Sequence, residues 1–404
     1  MIRDKELAAA ATGPLKGVRI LDMTSVVFGA YATQMLADMG ADVVKVEFPG
    51  GRRGGGGDIM RWAGHGQPGG PEDLGPIYLT INRNKRSLLI DLREDAAAGK
   101  MRKLIAGCDV FVASVRYEGL KRLALDYDSV RAVRPDVVYV HGCGYGSDGP
   151  YAGEPAYDDL IQSASGLADL LPRVDDDPTP RLLPSLVADK VSGLFMSQAV
   201  CAALYHRQKT GEGQFIEAPM LECVTSFNLA EHLYGHVYDP PTGPWAYTRV
   251  ANPERKPFAT ADGYIGLLPY TDQQWDQFFA AAGWADTFGK DPRFADYRER
   301  ARHVRELYGL VETVTRTKTT AEWLAILKPL QIPVVRMNRL DELPHDPHLD
   351  AVGLFERYRH PEAGAYVSMR PPVKFSVTPA NIRRHAPRLG EHTDEILAEC
   401  DDGK

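Results

Sequence analysis

Cysteine is scarce and follows no pattern. Cys108, Cys143, Cys201, Cys223 and Cys400 are odd in number and scattered, with no Cys-x-x-Cys pair. That argues against a disulfide framework and against a structural zinc site. Basic charge is also short: 47 Lys and Arg face 54 Asp and Glu, a net charge of −7, and no sustained basic run occurs. A groove for nucleic-acid phosphates is therefore not expected, although a local cluster of arginines can still bind a small anion. Long apolar runs are missing as well. The longest, residues 191–205, is closed by Asp189 and Lys190 on one side and His206 and Arg207 on the other. It falls short of the roughly 20 residues of a membrane span. The opening MIRDKELAAAATGPLKG lacks the apolar core of a signal peptide. These absences lead to the expectation of a cytoplasmic protein with no membrane partner.

What is present is ordinary globular material, 44% hydrophobic and 25% charged, and 404 residues suit two domains. GVRILDM reads as a strand, Phe28, Tyr31, Met35, Leu36 and Met39 recur at helical spacing up to Gly40, and residues 42–47 read as a second strand. This β-α-β unit implies parallel strands. Strands at 87–92, 109–114 and 136–142, with a helix over 95–107, continue the alternation to about residue 150. The class is α/β with a mostly parallel sheet. Helices are expected over 159–171 and 190–209. Loop-rich sequence from about 236 and charged helices over 272–330 mark a smaller second domain at 225–334. The large domain would then comprise 1–224 and the returning segment 335–404.

Familiar site motifs fail on inspection. The turn after the first strand, MTSVVFG, lacks the three glycines of a dinucleotide site. Gly144, Gly146 and Gly149 match Gly-x-Gly-x-x-Gly, but Pro150 follows where a helix should open. Around Ser147 the first glycine of a hydrolase elbow is Tyr145. His232 with His236, and His345 with His348, read as surface histidines, so no metal is expected. Carboxylates remain. Asp158 and Asp159 open one helix and Asp189 opens the most apolar one. The plain reading of Asp189 is a helix cap. The alternative is a nucleophile, desolvated but kept ionised by the helix N-terminus.

Eight segments resemble, in order, the family III CoA-transferases: GPLKGVRILDMT, GADVVKVE, NRNKRSLLIDL, GCGYGSDGPYAGEPAYDDLIQSASGL, VADKVSGL, ALYHRQKTGEGQFIE, LPHDPHL and LGEHTDEIL. The resemblance implies a Rossmann-like large domain formed by both chain ends, a smaller α+β domain, and an interlocked homodimer. It implies coenzyme A as a moiety of substrate and product, with no permanently bound cofactor, and acyl-CoA and a carboxylic acid as partners. By the same resemblance Asp189 is the nucleophile, and CoA contacts fall on Ser25, Val26, Val27 and Phe28, on Arg93, on Arg122 and on Tyr157. An arginine usual after the KVE glutamate is Phe48 here, with Arg52 and Arg53 nearby. Racemases of the family place a histidine where this chain has Tyr157, and a tyrosine with a pKa near ~10 is a poor base at neutral pH. CoA transfer is thus expected ahead of racemisation or inert CoA binding, with backbone amides near residues 142–146 steadying the oxyanion.

Overall fold

The computed structural model describes residues 2–50, 55–64, 66, 70–175 and 177–401. Arg52 and Arg53 lie outside them. Six strands build one parallel sheet: β1 (Arg19–Met23), β2 (Asp42–Glu47), β3 (Lys85–Leu89), β4 (Val110–Ala113), β5 (Val138–Cys143) and β6 (Gln214–Pro219). Their spatial order is β3-β2-β1-β4-β5-β6, every neighbouring pair parallel. The order reverses between β1 and β4. In doubly wound sheets, ligands bind beyond the carboxyl ends of the strands at such a reversal.

The helices that matter for the site are α1 (Phe28–Asp38), α2 (Pro76–Ile81), α3 (Asp95–Ala106), α4 (Tyr117–Arg122), α5 (Tyr127–Val133), α6 (Asp158–Ala164), α7 (Val187–Thr210) and α8 (Met220–His232). Alternation along the strands sorts the two faces of the sheet. One face presents Leu21, Met23, Val44, Val46, Leu88, Phe111, Ala113 and Tyr139, which pack on Met101, Leu104 and Ile105 of α3 and Leu120 of α4. The other face lies against α1 and α7: a Cβ on Gly142 would meet Met196 and Phe28. There the β1–β3 strands bury charge. Lys85 Nζ donates to Asp22 (3.0 Å) and Asn82, Lys45 Nζ contacts Asp58 (2.9 Å), and Arg61 clasps Glu47.

Several elements differ from the sequence reading. β3 begins at Lys85, ahead of the expected 87, because Lys85 and Arg86 find internal partners instead of water. β6 was not anticipated: it is a sheet-edge strand whose QFIEAP carries little apolar signal. The expected helix over 159–171 breaks after α6, where Gly166 adopts φ +81° before a 3-10 turn at Leu167–Asp169. α7 is 24 residues long, exceeding the apolar run within it, and by length and composition alone such a helix could cross a membrane; half of its apolar window is buried.

The chain divides into two compact units. The first comprises Met1–Leu167, Leu182–Asn228 and Pro347–Lys404; the second comprises Ala168–Arg181 and Leu229–Asp346. In the first, the C-terminal segment is stitched onto β3. Leu89 N–H donates to Thr393 Oγ1, His392 N–H to the Ser87 carbonyl, and Arg86 pairs with Glu395 and Glu399. The second carries a three-stranded antiparallel sheet of Phe258–Ala259, Tyr264–Leu267 and Val334–Arg336. Its core is aromatic, with Trp275, Phe278, Phe279, Phe288 and Trp323 buried together.

Candidate active site

The turn at residues 25–28 leaves the carboxyl end of β1, at the reversal of strand order. Ser25 N–H faces Ser114 Oγ (3.4 Å) just beyond the end of β4, so the turn bridges the two strands of the switch point. Val26 is held at φ +65°, an unfavourable left-handed conformation for a β-branched residue, of the kind found at functional sites. Two anchors hold it. Val26 N–H donates to Asp58 Oδ1 (3.0 Å), and Lys45 Nζ donates to the Thr24 carbonyl (2.8 Å). Val27 then precedes α1 and is buried with Ala30 and Ile81. The buried charges behind the turn thus fix its backbone.

Phe28 also ties the turn to α7. Its carbonyl lies where a Cβ on Gly193 would stand, 2.8 Å away, so α1 and α7 meet at a contact only glycine permits. One helical turn before Gly193 stands Asp189, 5% exposed.

The environment of Asp189 differs from the sequence expectation in two ways. It is not a cap: Leu186 occupies the N-cap, with no side-chain bond, and Asp189 sits three residues into the helix. The capping carboxylate comes from α6, where Asp158 Oδ1 accepts the Asp189 N–H (3.1 Å). Gln162 fixes Asp158 through Nε2 to Oδ2 (2.7 Å) and also bonds the Ser185 carbonyl and the Leu183 N–H of the segment entering α7. Nor does the helix N-terminus keep Asp189 fully ionised. Burial, reinforced by the neighbouring Asp158 and Asp159 charges, pushes its carboxyl up to about 7. Among the described residues no hydrogen bond reaches its carboxylate. A desolvated, unpaired carboxylate is available for attack on a carbonyl carbon.

The remaining residues are more dispersed. Tyr157 is the N-cap of α6, 62% exposed, beside Asp158. Arg122 ends α4, the helix following β4, and is exposed. Arg93 is exposed and forked onto its own Asp91, Nε at 2.8 Å and Nη2 at 2.6 Å, so a ligand there must compete with that pair. The Gly146 amide donates to Glu222 Oε1 (2.9 Å), so this supposed oxyanion donor is already engaged. His232 is buried, not on the surface: its Nδ1 accepts the Tyr247 N–H. Sequence reasoning missed Asp58, Lys45 and Gln162. For Lys45 a signal existed, a lysine inside the apolar strand DVVKVE.

Together these features define a doubly wound α/β protein with a strained turn at its switch point and a buried, unpaired carboxylate at the head of the adjoining helix. The chain belongs to CoA-transferase family III, whose family model matches residues 15–393. It is 32% identical to a succinate–glutarate CoA-transferase of Agrobacterium fabrum over 96% of each chain. It is 31% identical to a formyl-CoA:oxalate CoA-transferase of Afipia carboxidovorans, covering 95% of this chain and 93% of the relative. The crystal structure of Rv3272 from Mycobacterium tuberculosis superposes with a TM-score of 0.81 at 28% identity, over 95% of this chain and 99% of that one. The protein is accordingly a CoA-transferase, with CoA as a substrate moiety.

Proposed function

We propose that the protein moves CoA from an acyl-CoA to a free carboxylic acid through two covalent states of Asp189. The carboxylate attacks the thioester carbonyl, the carbon–sulfur bond breaks, and CoA thiolate leaves behind an aspartyl–acyl anhydride. The thiolate attacks the aspartyl carbonyl and expels the donor acid, giving an aspartyl-CoA thioester. The acceptor carboxylate attacks that carbonyl and again releases thiolate. The thiolate then takes the acceptor's acyl carbon, and Asp189 is regenerated. No water is consumed, so the thioester energy is retained provided the site excludes it.

The observation that carries this reading is the unpaired, buried carboxylate of Asp189, one helical turn from the glycine contact that joins α7 to the 25–28 turn. CoA would lie over that turn, with Arg122 or Arg93 at its phosphates, since a guanidinium fork matches phosphate oxygens, and with Tyr157 against it. The active form would be a homodimer. The names of the relatives include succinate, glutarate and oxalate, so the acceptor panel should begin with dicarboxylates.

The test supplies acyl-CoA donors and that panel to wild type and to Asp189→Asn. Wild type should form new CoA esters, and hydroxylamine added with the donor should yield an Asp189 hydroxamate. Folded Asp189→Asn should bind CoA and be inactive, because an amide cannot form the anhydride. Near-normal turnover in that variant, with deamidation excluded by mass spectrometry, sinks the covalent route.

A further inference from the structure

On the face of the sheet away from α7, three side chains of different chemistry converge. β5 presents His141 and Cys143 on one side by the two-residue period of a strand. In the parallel register of β6, Glu217 stands opposite His141. One ligand atom from each of the three lies within 4.8 Å of the others. We propose that His141, Cys143 and Glu217 hold a divalent transition-metal ion, zinc foremost, at the carboxyl ends of β5 and β6.

Each prospective ligand is oriented by a second partner, as metal ligands are. His141 Nε2 lies 3.1 Å from the Val115 carbonyl, which fixes the proton on Nε2 and leaves Nδ1 as the ligand nitrogen. The ring is further held by the edge of Tyr117 at 5.1 Å. Glu217 Oε2 accepts both the N–H and the hydroxyl of Ser147, each at 3.0 Å, which leaves Oε1 for the ion. His141 is buried while Cys143 and Glu217 are half-buried, so an ion has a way in. Binding would replace the Cys143 thiol proton by the ion and release that proton to solvent. A thiolate, an imidazole and a carboxylate form a donor set suited to zinc, with a fourth tetrahedral position left for water. Asp189 lies on α7, which packs against the opposite face of the sheet.

Full-length protein stripped with chelator, incubated with zinc chloride and desalted should retain one zinc per chain by elemental mass spectrometry. Cobalt(II) in its place should show thiolate-to-metal charge-transfer absorption, a reading of the sulfur ligand that needs no variant. Cys143→Ser should lose that band and weaken zinc binding by at least the roughly 10–100-fold that loss of an outer partner costs. Asp189→Ala and Cys223→Ser should bind zinc as wild type does. Substoichiometric retention by wild type, a cobalt complex without the thiolate band, or undiminished affinity in Cys143→Ser would each overturn the site.

Discussion

At the scale of single residues, the informative quantity is the proton on Asp189. An ordinary aspartate titrates near 3.8, whereas burial and the two neighbouring acids bring this one to about 7. Between those values the folded chain holds a proton that the unfolded chain has lost. Stability therefore falls as pH rises through that window and is flat below about 4. Asp189→Asn has no such slope. It should equal wild type in urea titrations near pH 4 and exceed it above pH 7, by up to about 4 kcal/mol. Activity runs the other way. If the ionised carboxylate is the nucleophile, kcat/KM should climb with pH through about 7 and then level. A profile already flat from pH 5 would assign the attack to another group. The same residue that lowers stability is thus the one the proposed chemistry requires.

At the scale of elements, the contact between α1 and α7 joins the proposed CoA turn to the proposed nucleophile. Gly193→Ala places a methyl against the Phe28 backbone oxygen and should cost roughly 1–3 kcal/mol. It should also lower kcat even where the protein stays folded, because α7 carries Asp189. Unaltered kcat in the folded variant would mean that the two helices are not coupled in this way. Behind the turn, Lys45→Met removes the cation 2.9 Å from the buried Asp58 carboxylate, and a loss of about 3–5 kcal/mol is expected from chemical denaturation. Legibility in the sequence followed the same division. β4 and β5 were readable because apolar side chains cover both faces or nearly so, and β1 and β2 because charge interrupts only one face and leaves the other apolar. The start of β3 and the whole of β6 were not, since charge and edge position erase the apolar signal. Asp189 was located through resemblance, but Asp158 acting as its helix's cap required two helices to meet. His141 and Cys143 carry no helical spacing signal, because a strand brings i and i+2 to one face.

At the scale of the whole molecule, α7 leaves Leu194, Phe195 and Tyr205 more than a third exposed in the single chain. Apolar surface of that kind favours association, and light scattering at micromolar concentration should return the mass of a dimer; a monomer would remove the interlocked arrangement. The chain's ends bear on how such a molecule is made. Arg86, nearly inaccessible in β3, finds Glu395 and Glu399 in the final helix, 309 and 313 residues further on. On a ribosome adding about 5–20 residues per second, that interval lasts roughly 15–60 s. Throughout it, Arg86 keeps Asp42 on the neighbouring strand but lacks its two glutamates, and the rim of the first-made sheet is uncovered, open to whatever else is nearby. Synthesis speed and chaperone supply, not only the native contacts, then decide how much of this protein reaches its folded form.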